Sequence, residues 1–306
     1  MAILEVENLS VSFNQYKMFR SVKSKVISSL SIAVDEGEIV AVVGASGSGK
    51  SLLAQAILGI LPPNATIDGI MLFRGETLTL ARQKALRGRE IAIIPQSVNS
   101  LDPLMRAGSH VRTSVTAGNA SDLQKEVFKR YHLEEKVEKL YPFQLSGGMA
   151  RRVLLASAMV SGAKVIIADE PTPGLDEQYV AEALQHLREF ADNGCGVLLI
   201  THDIGAALKI ADKIAVFYAG TTVEIASIEN FRGDGEDLRH PFSKALWRAL
   251  PENGFEPIPG SQPQPDKLPS GCLFAARCKK AAAACSAAFP EMRELRNGRV
   301  RCIHAT

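Results

Sequence analysis

The pattern of apolar and polar residues predicts strands that alternate with helices. Residues 2–13 alternate between the two classes, which is typical of a strand with one buried face. Short apolar runs with the length of strands follow at residues 32–34, 39–43, 91–94, 165–168, 197–200 and 214–217. Helical spacing of apolar residues lies between several of these runs, at residues 51–61, 149–160, 177–191 and 204–210. This alternation predicts an α/β fold on a largely parallel sheet.

Two further stretches depart from the alternation. From about residue 97 to residue 160 the chain lacks buried-strand runs and contains an amphipathic segment at 121–140, which predicts a mostly helical subdomain inserted into the α/β core. Residues 251–269 hold six of the 15 prolines, a composition that indicates an extended linker. We therefore predict a first domain over residues 1–230 and a small cysteine-containing C-terminal extension over 231–306.

Composition and charge narrow the class of protein. The chain has 306 residues, of which 46% are hydrophobic, and 35 Lys and Arg against 33 Asp and Glu give a net charge of +2. These values argue against a mostly disordered chain and against a whole-protein attraction to nucleic acid or anionic lipid. No apolar run approaches the roughly 18 residues that span a bilayer, and the first ten residues lack a signal pattern. We expect a cytosolic protein, unless partners hold it at a membrane.

A glycine-rich loop between a predicted strand and a predicted helix has the spacing of a phosphate-binding loop. It satisfies G-x-x-x-x-G-K-[ST], and its candidate binding residues are Gly44, Ser46, Gly47, Ser48, Gly49, Lys50 and Ser51. Glycines let successive N–H groups point at phosphate oxygens, and the following helix N-terminus favours negative charge. Lys50 supplies a point charge for the β- and γ-phosphates, and Ser51 offers a hydroxyl to Mg²⁺. The strand–helix context disfavours a Gly/Ser linker, and the glycine spacing excludes a dinucleotide fingerprint.

Polar residues follow three of the predicted strands. Asp169 and Glu170 end one apolar run, His202 follows a second and Gln96 follows a third. Carboxyl ends of parallel strands meet at one sheet edge, where the phosphate loop also lies. We expect Asp169 to bind Mg²⁺ and Glu170 to act as general base on the attacking water. We expect His202 to contact the γ-phosphate, and Gln96 to ligate Mg²⁺ or orient water. Taken alone, each residue has a simpler interpretation as a solvated or capping group.

A second glycine turn precedes another predicted helix. It consists of Leu145, Ser146, Gly147, Gly148 and Met149, and it has the composition of an anion-binding helix N-terminus. One nucleotide does not need two such sites in one chain. In a head-to-tail dimer, however, the second site of each chain closes over the γ-phosphate held by the other. The alternative is an ordinary N-cap with a glycine turn.

Taken in order, these motifs resemble those of the ATP-binding-cassette (ABC) ATPases over about residues 2–230. They are a Walker A loop at 44–51, a glutamine loop at Gln96, an LSGG signature at 145–148, a Walker B strand at 165–170, a D-loop around Asp176 and a switch histidine at His202. The resemblance implies a P-loop NTPase core, the ABC nucleotide-binding domain, and an ATPase that uses ATP and Mg²⁺. It also implies that Phe13 stacks on adenine, with Tyr16 and Phe19 nearby.

Two positions depart from the usual family pattern. Met149 stands where a glutamine commonly follows LSGG, and PGLD at 173–176 replaces the frequent SALD. Both variants look like the branch of peptide and nickel importers. Every position that the family uses for hydrolysis is filled, so the resemblance implies a competent ATPase.

The C-terminal extension resembles that of ATPase subunits in oligopeptide, dipeptide and nickel importers, on the segments HPFSKAL at 240–246 and GCLFAARC at 271–278. The resemblance implies a peripheral subunit on the cytoplasmic face of the membrane that imports peptides, nickel or metal chelates. Its implied partners are a second, homologous ATPase subunit, which makes a heterodimer, two permease subunits and an extracytoplasmic solute-binding protein, with no nucleic acid. The region from Gln96 to about Met105 is implied to meet the permease.

Four of the five cysteines lie in the extension. Cys272, Cys278, Cys285 and Cys302 offer four thiolates, the ligand set of zinc or an iron–sulfur cluster, and a disulfide framework is not expected in a reducing compartment. Their spacing lacks the close C-x₂-C pairs typical of structural zinc. The family resemblance implies a [4Fe–4S] cluster on these residues, with zinc or four free cysteines as alternatives.

A second function is compatible with the same motifs. Some soluble cassette proteins act on DNA or in translation. Such proteins usually carry a coiled-coil insertion or two cassettes in one chain, and the sequence has neither. The importer-type extension therefore favours transport.

Overall fold

The computed structural model of the chain describes residues 2–17, 20–45 and 47–306. Its strands are β1 (Ala2–Lys17), β2 (Arg20–Asp35), β3 (Ile39–Gly44), β4 (Ala65–Phe73), β5 (Glu76–Thr77), β6 (Ile91–Ile94), β7 (Val165–Asp169), β8 (Gly196–Thr201), β9 (Lys213–Tyr218), β10 (Thr221–Ser227), β11 (Arg293–Leu295) and β12 (Gly298–Val300). Its α-helices are α1 (Lys50–Leu58), α2 (Leu80–Leu86), α3 (Ala107–Ser114), α4 (Ala120–Arg130), α5 (Gly147–Met159), α6 (Glu177–Asp192), α7 (Ile204–Ile210), α8 (Pro241–Arg248) and α9 (Ala283–Ala287).

The larger of two sheets is mixed and carries the parallel strands that the apolar runs predict. Its order is β11-β12-β10-β9-β3-β8-β7-β6, and the strands from β9 to β6 run parallel. Alternate residues of β3 enter two different apolar cores, with Ala41 in one and Val40 and Val42 in the other. Because both faces of the sheet are covered, its central strands read as continuous apolar runs. The α/β fold class is confirmed, and β10 to β12 add an antiparallel edge.

The smaller sheet is antiparallel, in the order β2-β1-β4-β5. The strand predicted at 32–34 is only the end of β2, which begins at Arg20 and pairs with β1. Register shifts along this pair interrupt the alternation of apolar and polar residues, so the sequence pattern shows only its last part. Strand β4 was not predicted, and its residues 66–70 are exposed.

The predicted helices are present, with changes at their ends. Helix α1 stops at Leu58, short of the predicted end at residue 61, because Gly59 adopts a left-handed φ of 64°. The amphipathic segment at 121–140 is split into α4 and a short 3₁₀ helix at Glu135–Lys139, with His132 at a φ of 50° between them. The described elements between residues 97 and 160 are all helical, namely α3, α4, α5 and short 3₁₀ turns.

The C-terminal extension packs onto the large sheet. Strand β12 pairs with β10, with Glu224 opposite Val300. The buried Arg301 side chain donates to the carbonyl oxygens of Thr222 (3.1 Å) and Ser29 (2.8 Å), which joins the extension to both sheets. Residues 254–269 contain neither helix nor strand, as expected of the predicted linker. In the described part of the chain, no helix has the length and apolarity needed to cross a membrane.

Candidate functional site

The phosphate loop connects β3 to α1. Gly44 lies against β9 so closely that a Cβ there would be 2.5 Å from the carbonyl oxygen of Phe217, and Gly49 caps α1 with a φ of 94°. Both positions therefore require glycine. The buried Lys50 ammonium donates to the carbonyl oxygens of Gly44 (2.8 Å) and Ala45 (3.1 Å), which holds its charge within the loop. Ser46 lies outside the described residues.

A hydroxyl and a carboxylate meet at the end of this loop. Ser51 Oγ donates to Asp169 Oδ1 at 3.2 Å. Burial raises the pKa of Asp169, an effect that the Ser51 hydrogen bond and the Lys50 charge oppose. Burial also lowers the pKa of Lys50, which Glu170 and Asp169 oppose. These opposed shifts show charged groups held together away from water.

Ser48 offers a further polar atom in the loop. Its side chain is 2% exposed, and within the part of the chain that the structure covers its hydroxyl has no hydrogen-bond partner. A buried hydroxyl without a partner is unfavourable, so a phosphate oxygen is a suitable acceptor for it.

Glu170 and His202 form a close pair beside the loop. His202 Nδ1 lies 2.9 Å from each carboxylate oxygen of Glu170, and the Thr201 hydroxyl donates to the same carboxylate at 3.4 Å. Glu170 has a φ of 49°, unusual for a residue with a side chain. The Glu170 side chain is 8% exposed and the His202 side chain 57% exposed, so the imidazole links a buried carboxylate to the surface.

Strand register places the predicted residues at one sheet edge. Asp169 lies opposite Ile200, and Val43 lies opposite Thr201, so the ends of β3, β7 and β8 are level. Gln96 is exposed and follows β6 by two residues at the same edge. The structure thus brings together the residues whose roles the sequence predicts, and those roles remain predictions.

The signature turn begins helix α5. Ser146 is the N-cap, and its hydroxyl accepts a hydrogen bond from the Met149 N–H at 3.2 Å, while Leu145 is half-buried. A Cβ built on Gly147 or Gly148 would meet no atom of the described residues within 4 Å. Crowding within the chain therefore does not explain either glycine.

Two further predicted residues have distinct environments. Asp176 is the exposed N-cap residue of α6, and its side chain makes no capping hydrogen bond. Phe13 lies on β1 opposite Ser24 and is partly buried against one of the apolar cores. Phe19 and the Tyr16 side chain lie outside what the structure describes.

Arg151 is a site residue that sequence reasoning missed. Its side chain is buried, Nη1 donates to the carbonyl oxygens of Pro95 (3.2 Å) and Glu170 (3.1 Å), and Nη2 donates to that of Pro173 (3.2 Å). It therefore joins α5 to the loops that follow β6 and β7. The available signal was an arginine among apolar residues on the inner face of a predicted helix, before Val153.

The four cysteines of the extension line one small cavity, together with His240. All are free thiols, and burial raises the pKa of Cys272 and Cys278, to which the neighbouring thiols contribute. Among the described residues, no group of three or more His, Cys, Asp or Glu side chains is placed to hold a metal ion. The predicted cluster, like its zinc alternative, thus finds no preformed metal site here.

Two family profiles match the chain. The profile described as "ABC transporter" matches residues 27–173, and that described as "Oligopeptide/dipeptide transporter, C-terminal region" matches residues 223–285. The oligopeptide transport ATP-binding protein AppD of Bacillus subtilis is 33% identical, over 98% of this chain and 96% of the relative. The dipeptide transport ATP-binding protein DppD of Escherichia coli K12 is 34% identical, over 99% of this chain and 97% of the relative.

Solved structures are similar in fold. A dimeric post-hydrolysis state of an ATP-binding cassette bound to ADP and Pi is 26% identical, with a TM-score of 0.65 over 75% of this chain and 99% of that one. An ATP-binding subunit of an ABC transporter is 25% identical, with a TM-score of 0.61 over 75% of this chain and 92% of that one. These proteins confirm the predicted fold, and the transport names among them favour transport over the soluble alternative.

Proposed function

The chain belongs to the ATP-binding-cassette family, as an ATP-hydrolysing transporter subunit, and from this premise we propose that it energises a peptide importer. The observation that carries the proposal is the placement of the phosphate loop, the Ser51–Asp169 pair and the Glu170–His202 pair at one sheet edge. The matched C-terminal profile supports the importer class, and the names of AppD and DppD support peptides as cargo. Those names give no support to nickel or metal chelates.

The proposed reaction begins with the triphosphate of ATP in the loop at 44–51. The Lys50 ammonium exchanges its two carbonyl partners for β- and γ-phosphate oxygens, and Phe13 stacks on the adenine. The Ser51 hydroxyl and Asp169 carboxylate are hard oxygen donors that suit Mg²⁺, with Gln96 as a further ligand. An Mg²⁺ ion held by these residues would supply positive charge against the phosphate oxygens.

Glu170 is the proposed general base. Its carboxylate accepts a proton from the attacking water as the bond between the γ-phosphorus and the β–γ bridging oxygen breaks. His202 orients that carboxylate through the 2.9 Å contact and meets the γ-phosphate from its exposed side. Arg151 holds the Glu170 backbone through the carbonyl contact.

Two chains complete each site in this proposal. The turn at 145–149 of one chain closes on the γ-phosphate that the other chain holds, and Asp176 lies in the same contact. The open surroundings of Gly147 and Gly148 support this arrangement, as does the dimeric form of a similar cassette. By the family resemblance, the second chain is a homologous ATPase subunit in a heterodimer.

Glu170→Gln tests the chemistry of the site. We expect the variant in the assembled transporter to bind Mg·ATP within about twofold of wild type and to hydrolyse it about 100-fold more slowly or worse, because a neutral amide cannot accept the proton. The surface variant Glu76→Gln is the matched control. Near-normal turnover by Glu170→Gln would remove Glu170 from the base role.

The proposed partners are two permeases, approached from the cytoplasmic face of the membrane, and a solute-binding protein outside it. The segment from Gln96 to Met105 is the proposed permease contact. It contains Leu104, which is 86% exposed. In the same helical subdomain, Phe143 is 77% exposed and stacks on Tyr141 with ring centroids 5.7 Å apart. Exposed large apolar side chains support a protein-docking role for this surface.

Purification from detergent-solubilised membranes tests the partners. We expect permease subunits to co-purify with the wild-type chain and with Leu80→Asp, a change at another exposed leucine (73%), but not with Leu104→Asp. Recovery of ribosomes or DNA in place of permeases would support the soluble alternative instead.

The finer proposal for the cysteines is a [4Fe–4S] cluster held by Cys272, Cys278, Cys285 and Cys302. Four thiols and no carboxylate line one cavity, a donor set that suits the soft iron of a cluster. Such a cluster would tie together segments of the extension that are far apart in sequence. The proposal rests on this donor set and on the family resemblance.

Metal analysis of anaerobically purified protein tests the cluster. We expect iron and acid-labile sulfide in the wild type, their loss in Cys278→Ser and their retention in Cys195→Ser, since Cys195 lies outside the cavity and its thiol donates to the Ala163 carbonyl oxygen. Stoichiometric zinc without iron, or the absence of both metals, would overturn the assignment.

A further inference from the structure

A basic cleft lies between helix α8 and the proline-rich linker, and none of its lining residues belongs to the nucleotide site. The cleft has a volume of about 200 Å³. Its cationic lining residues are Arg239, Lys244, Arg248, Arg277, Lys279 and Lys280, and its carboxylate is Glu256. Apolar surface comes from Pro241 and Ala245 of the helix, Ile258 of the linker and Phe274. The cleft thus combines an excess of positive charge with an apolar wall.

Hydrogen bonds fix the linker as one wall of the cleft. Arg277 Nε donates to the Pro259 carbonyl oxygen at 2.8 Å, and Arg277 Nη2 donates to that of Ile258 at 3.1 Å. At the other end, the Glu256 N–H donates to the Arg248 carbonyl oxygen at 2.9 Å. The linker is therefore held from both sides, which gives the cleft a defined shape.

Most of the positive charge in the cleft is not neutralised by the protein. Six charged side chains that line the cleft form no ion pair with any described residue. They are those of Lys244, Arg248, Arg277, Lys279, Lys280 and Glu256. Lys244 and Arg248 lie one turn apart on α8, and like charges at this spacing destabilise a helix. An anion between them would relieve that repulsion.

The buried member of the set, Arg239, is only partly satisfied. Its side chain is 2% exposed, its Nη2 donates to the Arg296 carbonyl oxygen, and its Nη1 lies 3.8 Å from the Glu224 carboxylate. Nε and Nη1 have no hydrogen-bond partner among the residues described. Arg239 therefore adds positive charge that the surrounding groups meet incompletely.

We propose that the basic cleft binds small organic phosphates, in which a phosphate dianion is joined to an apolar group. Ammonium and guanidinium groups together match the several oxygens of a phosphate, and the apolar wall accepts the remainder of the molecule. The volume is below the range of about 300–1,000 Å³ for sites of drug-sized ligands, which fits a small metabolite or a lipid headgroup.

Calorimetry with phenyl phosphate tests the proposal on the full chain, with its nucleotide site filled by Mg·ADP. We expect phenyl phosphate to bind about tenfold more tightly than inorganic phosphate, and phenol not to bind, because the cleft needs both charge and apolar surface. Arg248→Glu should weaken binding about tenfold or more, while Lys125→Glu, an equal charge change on α4, should stay within about twofold. Both variants lie outside the cysteine segment, so cluster loss does not enter the result.

Two controls separate a loss of binding from a loss of folding. Circular dichroism and Mg·ADP affinity verify folding, and Arg248→Gln combined with Lys244→Gln replaces Arg248→Glu if that variant does not fold. Vesicles of phosphatidylcholine with and without phosphatidic acid identify the source of the phosphate. Arg248-dependent binding to phosphatidic acid vesicles, without binding of phenyl phosphate, indicates a lipid headgroup. Binding of phenyl phosphate, without binding to the vesicles, indicates a soluble molecule. The proposal would be overturned if neither ligand bound, if the Arg248 variants bound as tightly as the wild type, or if inorganic phosphate bound as tightly as phenyl phosphate.

Discussion

At the scale of single residues, the site contains two buried side chains of opposite charge, Lys50 and Asp169, and each affects the pKa of the other. Burial shifts Lys50 and Asp169 toward their neutral forms, and each of the two charges opposes the shift of the other. The Ser51 hydroxyl donates a hydrogen bond to the Asp169 carboxylate, and Ser51 follows Lys50 in the first turn of helix α1. A change at one of these side chains therefore alters the environment of the other two.

Ser51→Ala is expected to weaken the use of Mg²⁺. The change removes a proposed oxygen ligand and the hydrogen-bond donor to Asp169, so the Mg²⁺ concentration for half-maximal ATP hydrolysis should rise about tenfold or more. Steady-state hydrolysis over a Mg²⁺ series measures it. Ser157→Ala on α5, whose hydroxyl bonds to the Val153 carbonyl oxygen within the same helix, is the control. Equal Mg²⁺ dependence in both variants would contradict the assignment.

His186 is expected to make the fold sensitive to acid. It packs edge to face on Tyr131, with ring centroids 4.6 Å apart, and burial lowers the pKa of His186 below its usual 6.5, helped by the Arg130 charge and opposed by Glu189. The unfolded chain therefore binds a proton at this residue more readily, so stability falls as the pH drops below 6.5.

Urea unfolding at a series of pH values from 7 to 5 measures this effect. His186→Phe keeps an aromatic ring and removes the titrating group, so its free energy of unfolding should fall less on acidification than that of the wild type. The difference between the two should be up to about 1.4 kcal/mol per pH unit. His110→Gln should keep the wild-type profile. Parallel profiles for His186→Phe and wild type would show that His186 does not carry the acid sensitivity.

Residue types at strand ends made most of the site predictable, but not Arg151. Asp169, Glu170 and His202 were identified because each follows an apolar run, and parallel strands bring such ends together. Arg151 sits in a helix, where an arginine is usually solvated, and its burial depends on carbonyl groups from loops far away in sequence, such as that of Pro95. Periodicity within one segment contains no such information.

Among the elements, helix α5 connects the signature turn to the loops that carry the proposed catalytic residues. Ser146 caps its first turn, and Arg151 one turn further on binds backbone carbonyls of the loops that follow β6 and β7. These contacts join the turn to the backbone of Glu170 through one helix. The helix therefore contributes to the core and also contacts the loops of the site.

Arg151→Lys is expected to lower kcat with little change in KM for ATP. A single ammonium cannot reproduce the forked contacts to three carbonyl groups, so the Glu170 backbone loses its support while the phosphate loop is untouched. We expect kcat to fall about tenfold or more. Steady-state kinetics with nucleotide-affinity measurements separate the two parameters, and Arg82→Lys on α2 is the control. A variant with unchanged kcat and only a lower melting temperature would assign Arg151 a purely structural role.

Elements were predictable where burial was uniform along the segment. Strand β6 matches its predicted bounds, and the neighbouring parallel strands agree within one residue at each end. Strand β10 escaped prediction because its buried residues include Thr222 and Glu224, whose polar groups form hydrogen bonds inside the fold. Only the positions of the distant partners, Ser31 and Arg239, explain how those polar groups are buried.

For the molecule as a whole, the C-terminal extension is part of the core sheet as well as a cover over it. Arg301 donates to carbonyl oxygens of Thr222, Pro290 and Ser29, and the Phe289 ring lies 4.8 Å from its guanidinium carbon. Burial lowers the pKa of Arg301 to about 10, which leaves the group charged at neutral pH. The predicted division into residues 1–230 and 231–306 follows differences in sequence composition. The hydrogen bonds of Arg301 join the two parts across that division.

Arg301→Met is expected to destabilise the entire chain. Three buried or half-buried carbonyl groups lose their donor, so the free energy of unfolding should fall by about 3 kcal/mol or more. Denaturant unfolding followed by Mg·ADP binding reports whether the nucleotide domain responds. The exposed Arg296→Met is the matched control. A change confined to the extension, with the nucleotide domain unfolding as before, would contradict the coupling.

The pairing of β12 with β10 sets an order of events during synthesis. The two strands are separated by about 70 residues, so at about 5–20 residues per second β12 emerges from the ribosome roughly 4–14 s after β10. Throughout that interval one edge of β10 has no partner strand, and strands of other proteins can add to such an edge. Slow decoding between these strands would lengthen the exposure, and a chaperone that shields the edge would shorten its consequences.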